Sequence, residues 1–168
     1  MKKVLLVSVL LVCMFAVGCV TTNSTDDGRE YVTNMWTEGR YYVGQELDGK
    51  FDGDGVFRGS TGTIYEGQFK QGQLIGKGTL YFASGDQYQG DVLNGRMHGD
   101  GIYFYVDGTK YSGEFVNDMM QGRGTLTYPD GSSYVGDFTN DMMHGKGKFT
   151  TPTGMIFAGM FADGKFIK

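Results

Sequence analysis

Few side chains in this sequence could do chemistry, and their spacing limits which chemistry that would be. The 168 residues include two histidines, His98 and His144, and two cysteines, Cys13 and Cys19. No nucleophile elbow accompanies them, and His-Glu-x-x-His does not occur. The 19 acidic residues fall at polar strand positions or in turns, the placement of a solvated face. Gly-x-Gly recurs at Gly53/Gly55, Gly76/Gly78, Gly99/Gly101, Gly122/Gly124 and Gly145/Gly147. No Lys-Ser/Thr follows as in a phosphate loop, and five copies mark a structural device. One cluster remains. Met97 and His98, Met119 and Met120, and Met142, Met143 and His144 recur in the same phase, so they are expected along one edge. Thioethers and imidazoles are ligands for Cu(I) and related ions, but methionine is also an adaptable contact residue at binding surfaces. These seven residues are therefore read as a partner-binding edge. No catalytic residue, metal site or cofactor is expected. A Met/His-rich metal-binding protein is the weaker alternative.

Positioning such an edge requires a scaffold, and composition points to its kind. The chain holds 29 glycines but only 2 prolines, and 14% of it is aromatic. That excludes collagen and disorder. It suits many short strands joined by tight turns. Net charge is −4. Without Lys2 and Lys3 the count is 13 basic (15 less 2) against 19 acidic residues. Such a domain lacks the basic footprint of a nucleic-acid binder and gains nothing from an anionic lipid surface.

The N-terminus has its own logic. Lys2 and Lys3 precede an apolar run, Val4 to Val17, broken only by Ser8. The run is shorter than the ~20 residues of a membrane-spanning helix and suits the core of a signal peptide. It ends in Ala16-Val17-Gly18-Cys19. This resembles the lipobox of bacterial lipoproteins, with Ala16 where Leu is usual. The resemblance implies removal of residues 1–18, lipidation of Cys19 and firm membrane attachment. Cys13 would be discarded, leaving Cys19 without a disulfide partner. Val20 stands where an Asp would often signal inner-membrane retention, which favours the outer membrane. Residues 19–30 read as a flexible tether.

The rest of the chain repeats. Tyr42, Tyr65, Tyr88, Tyr111, Tyr134 and Phe157 are spaced by 23 residues, each with a Gly two positions on. Tyr134-Val-Gly-Asp-Phe138 followed by His144-Gly-Lys-Gly147 resembles the MORN repeat (membrane occupation and recognition nexus). The resemblance covers residues 42–168, with repeats starting at 42, 65, 88, 111 and 134 and a partial one at 157. It departs at Glu46, where Phe is expected, at Asp118 and Asp141, which replace a turn Gly, and at Ile75 and Gln121, which replace His.

The architecture also follows from the residues themselves. Turn signals alternate between Asn94-Gly95 and Asp107-Gly108 types, with strand-length segments between them. Alternation puts Tyr65, Gly67 and Phe69 on one face and Glu66 and Gln68 on the other. A strand glycine marks a close approach, so each should form a slot in which a neighbouring strand's ring lies flat. The expected fold is all-β: an elongated, twisted antiparallel meander of successive 23-residue hairpins. Residues 31–41 should form an N-terminal capping half-repeat, and Phe166 to Lys168 should extend the last pairing.

Function follows less directly. The favoured reading is a non-catalytic scaffold or protein-interaction module of the bacterial envelope. Its partners would be an unknown envelope protein and, through the anchor, the membrane. No nucleic acid or small-molecule substrate is inferred, and open sheet edges leave room for a homodimer. Direct phospholipid binding, which the family name suggests, is the main alternative.

Overall fold

The computed structural model describes residues 25–168. The expected signal segment and Cys19 lie outside them. The described residues form one sheet of thirteen strands in strict sequence order, each antiparallel to the next. The strands are β1 (Glu30–Met35), β2 (Tyr41–Leu47), β3 (Lys50–Arg58), β4 (Ile64–Lys70), β5 (Gln73–Tyr81), β6 (Gln87–Leu93) and β7 (Arg96–Phe104). They continue through β8 (Lys110–Val116), β9 (Met119–Thr127), β10 (Ser133–Thr139), β11 (Met142–Thr150), β12 (Ile156–Ala162) and the short β13 (Lys165–Phe166). At ~4.8 Å per strand the array is about 60 Å long. Among the described residues no helix is long and apolar enough to cross a membrane.

Each repeat is a seven-residue strand, a two-residue turn and a nine-residue strand. The turn residues Asn117 and Asp118 both have positive φ, at 50° and 74°, the conformation of a tight hairpin. Asp118 stands where glycine is usual because its carboxylate has a task. It accepts the backbone N–H of Met97, in the preceding repeat, at 2.8 Å. Asp141 accepts that of Met120 in the same way. The two turns thereby dock each hairpin on the one before it.

The unequal strand lengths are absorbed by a bulge. Gly113 pairs with Gly124, yet the next residue, Glu114, pairs with Gln121, so Gly122 and Arg123 are extra. Gly122 takes a φ of 62° there, and Glu114 accepts the freed N–H of Arg123 at 2.9 Å. Gln45, Asp91 and Asp137 do the same for Asp54, Asp100 and Lys146. These polar residues, read from sequence as a solvated face, close the bulges.

The core is a single file of rings on one face. Tyr42, Tyr65, Tyr88, Tyr111 and Tyr134 are fully buried. Phe69, Phe115, Phe138 and Phe161 stand edge-on between them: Tyr111, for example, meets Phe115 at 5.1 Å and Phe138 at 4.9 Å. Such contacts contribute about 0.5–1.5 kcal/mol beyond area burial. The file breaks once, at Val92, which takes the Phe position of the third repeat. In the first repeat Glu46 holds that position, and Phe51 compensates by stacking on Tyr42 at 3.6 Å.

The expectation for the glycine slots holds for one glycine of each pair and is extended for the other. Each tyrosine lies over the hairpin-partner glycine on the neighbouring strand, as expected, and also over the glycine of its own strand. A Cβ on Gly124 would meet the Tyr111 ring at 2.5 Å. The reason is the bulge. Its carbonyls, Glu114 at 3.0 Å and Gln121 at 3.5 Å, accept the Tyr111 hydroxyl and draw the ring along its own hairpin.

The N-terminal boundary also moves. Residues 25–29, expected to be part of a tether, form a hydrogen-bonded turn, and β1 begins at Glu30. Arg29 donates to Asp52 Oδ1 from Nε at 3.1 Å and from Nη2 at 2.9 Å. Lys70 approaches the other oxygen at 3.1 Å. The Asp52 side chain is 1% exposed, and the Arg29 guanidinium hydrogen bonds hold its carboxyl down at about 2. An unfolded aspartate titrates near ~3.9. The folded value is the lower one, so this stabilisation is complete above about pH 4 and is lost as pH falls through about 2. Amide protection in β1, relative to the intrinsic exchange rate at each pH, is therefore expected to fall over that window ahead of protection in β8 and β9. An Asp52→Asn variant should show low β1 protection at neutral pH that changes little on acidification. Equal acid response in both proteins would remove the latch from the account.

At the far end β12 pairs fully with β11, but β13 covers only its last residues. Ile167 and Lys168 extend that pairing through Met160. Phe157, the sixth aromatic of the period, is half-exposed.

Candidate functional site

The seven Met and His residues do not form one edge. They occupy three adjacent rows of the sheet, and adjacent residues of a strand point to opposite faces. Met97 and Met120, each 7% exposed, lie in the ring core opposite Val92 and Phe115. Met143 packs against the same core opposite Phe138. His98 and His144 lie at the bulges, where their backbone carbonyls accept the Tyr88 and Tyr134 hydroxyls at 3.2 and 3.4 Å. Met119 and Met142, 38% and 43% exposed, face outward on the opposite side, and the exposed His144 faces the same way. The sequence phase is right, but three of the seven residues are core. The expected edge is thereby corrected to a narrower feature.

That feature includes residues the sequence reading passed over. Val116 pairs directly with Met119, and Leu93 holds the equivalent place one repeat earlier. Leu93, Val116, Met119 and Met142 thus form a broken exposed apolar row near the hairpin turns, interrupted by Arg96 on β7 and Thr139 on β10. Alternation counted outward from Tyr88 and Tyr111 could have found Leu93 and Val116, which lie an odd number of residues from them on the same strands. Arg96 and Asp118 border the row, 3.9 Å apart.

The polar groups of the repeat are committed internally. Burial pushes the Tyr42, Tyr88 and Tyr111 hydroxyls well above the usual phenol range, so they serve as neutral donors to carbonyls. Asp86 is held low by the Val106 N–H and the Ser84 hydroxyl, and it also accepts the Tyr103 hydroxyl at 3.1 Å. Among the described residues no group of three or more His, Cys, Asp or Glu side chains converges as a metal site would require. The open depressions among the described residues include two. One lies on the outward face around Gln89, Asp100 and Ser112, and the other at the loop edge around Tyr128, Pro129 and Phe149.

No curated protein matches this chain. Among solved structures, the TCP domain of SAS-4 (dCPAP) of Drosophila melanogaster, in complex with a proline-rich motif of Ana2 (dSTIL), is 13% identical. The match covers 84% of this chain and 90% of that one, with a TM-score of 0.36. The TCP10 domain of Danio rerio CPAP, in complex with a STIL peptide, is 12% identical over 83% of this chain and 78% of that one, with a TM-score of 0.38. The model of the MORN repeat matches five consecutive segments, residues 42–64, 65–87, 88–110, 111–133 and 134–156. Each segment begins at the buried tyrosine of one hairpin and takes in that hairpin's bulge and turn residues. The chain belongs to the MORN-repeat family.

Proposed function

We propose that this protein is a non-catalytic interaction scaffold of the bacterial envelope, held at a membrane by a lipid on Cys19. The observation that carries the reading is the division of labour within each repeat. The recurring groups are tied to the fold: tyrosine hydroxyls to carbonyls, and bulge and turn carboxylates to backbone N–H groups. Other outward-facing positions, by contrast, differ in residue type from repeat to repeat, as at Glu66, Gln89, Ser112 and Val135. A regular array of this kind presents an extended surface and has no intrinsic reaction. The row Leu93, Val116, Met119 and Met142 is the part of that surface best suited to a protein partner, because exposed apolar side chains recur there, with Val116 and Met119 directly paired at its centre. The Ala16-Val17-Gly18-Cys19 sequence supports the anchor, and Val20 supports the outer membrane as its place.

One fractionation experiment with two variants tests both halves. Cys19→Ser is expected to shift the protein from the membrane to the soluble fraction. Retention of Cys19→Ser on membranes would replace the tether with direct lipid contact. Covalent capture from native envelopes should yield a partner with the wild type. The partner should be lost in Val116→Ser/Met119→Ser/Met142→Ser, which leaves Met97, Met120 and Met143 in the core. An unchanged capture would move the contact to another face.

A further inference from the structure

We infer that copies of this chain join head to tail, the β12 edge of one copy pairing with the β1 edge of the next to continue the sheet. Both edges are open among the described residues: β1 pairs only with β2, and β12 is covered by β13 and the two residues after it only from Met160 onward, which leaves Ile156 to Gly159 free. The Trp36 N–H points toward β2, where it meets the Arg40 carbonyl. By alternation along a strand, Tyr31, Thr33 and Met35 turn their backbone groups outward. At the other end the Met160 N–H and carbonyl face β13, so Ile156 and Ala158 point their backbone groups to the same side. Each edge thus offers a short ladder of unpaired donors and acceptors, the template for strand addition.

Three further observations select a second copy as the occupant. The first is direction. β1 and β13 are both odd members of an alternating meander and run the same way. A copy translated along the array therefore brings β1 antiparallel to β12, in line with β13, on the stretch that β13 leaves free. The second is charge. Residues 25–58, through β3, hold eight acidic and four basic side chains. Residues 142–168, from β11 on, hold Lys146, Lys148, Lys165 and Lys168 against Asp163 alone. Translation sets the acidic end against the basic end, whereas joining two like ends opposes like charges. The third is apolar exposure. Tyr31 and Met35 lie exposed on β1, and Ile156, at 56%, with Met160 lies exposed on β12. All four stand on the face opposite the ring core. A heterologous contact of this kind does not close on itself, so it produces rows rather than a single dimer.

The full chain carrying Cys19→Ser, which excludes association through lipid, is the material for the test. Sedimentation equilibrium should show a weight-average mass that rises with concentration past two chains. It should fall when salt is raised from about 0.05 M to about 0.5 M, which shortens the screening length roughly threefold. Thr33→Pro blocks the head and Ala158→Pro blocks the tail, each by removing an outward N–H that bonds nothing within the sheet. Each variant alone should be monomeric, and a one-to-one mixture should form dimers and nothing larger. Met35→Lys and Ile156→Glu, which leave the backbone intact, should repeat the pattern if a proline variant unfolds. Dimers from either variant alone would mean like-edge pairing and overturn the proposal. So would a mixture that stays monomeric, or a monomeric wild type. None of these outcomes depends on membrane attachment, so failure here is separable from failure of the lipid anchor.

Discussion

Replacing Tyr111 by alanine is expected to destabilise the array by about 3–5 kcal/mol, the range of buried aromatic deletions. Tyr111 is fully buried at the centre of the ring file, edge-on to Phe115 and Phe138. Its removal unpacks two repeats together, because Phe138 belongs to the next one. It also strips the hydroxyl from the Glu114 and Gln121 carbonyls at the bulge. Two comparisons apportion the loss. Tyr111→Phe keeps the ring and loses only the hydroxyl, and it should cost about 1 kcal/mol. Phe157→Ala removes a ring of the same period that is half-exposed at the end of the array, and it should cost clearly less than Tyr111→Ala. Urea unfolding followed by far-UV dichroism and by tyrosine fluorescence provides both stability and a check that the transition is cooperative. If Tyr111→Ala and Phe157→Ala cost the same, the two-sided ring file is not what holds the repeats together.

Most of this architecture was legible in the residue order, for identifiable physical reasons. A 23-residue period in tyrosine is a period in burial, and Asn117-Asp118 or Asn94-Gly95 sets a hairpin wherever it falls. What stayed hidden depends on geometry that one-dimensional spacing does not carry. Met119 and Met120 look alike as letters, but one faces solvent and the other the ring core, since neighbours on a strand alternate. Reading them as one stripe merged two faces. The bulge at Gly122 and Arg123 escaped notice because Gly-x-Gly also satisfies simple alternation. Only the pairing of Glu114 with Gln121 reveals two extra residues. Asp52 was invisible for a different reason. It stands in the phase of His98 and His144, and its burial depends on Arg29, which lies before the first repeat. A partner from outside the period leaves no mark on the period.

Replacing Gly113 by alanine is expected to be as damaging as Tyr111→Ala, and a comparison with Gly124→Ala shows why the two slot glycines differ. These residues pair across the hairpin under the Tyr111 ring. The atoms nearest a Cβ on Gly124 all belong to the Tyr111 side chain, at 2.5 to 2.7 Å. A Cβ on Gly113 meets backbone first, the Arg123 carbonyl oxygen at 2.5 Å and the Gly124 Cα at 2.6 Å, and then the Tyr111 hydroxyl at 2.6 Å. Relief then requires β8 and β9 to part, breaking ladder hydrogen bonds. Gly124→Ala should therefore cost about 1–3 kcal/mol, the range of overpacking, and Gly113→Ala about 3 kcal/mol or more. The distinction sharpens in the Tyr111→Ala background. With the ring gone, Gly124→Ala should add almost nothing, giving a coupling energy of roughly 1–3 kcal/mol between the two sites. Gly113→Ala should keep most of its cost, because the two backbone atoms it strikes are still present and only the Tyr111 hydroxyl is gone. Additive effects for Gly124→Ala and Tyr111→Ala would mean that the ring does not lie in that slot. Relief of Gly113→Ala by the same background would mean that the strands yield more easily than the ring.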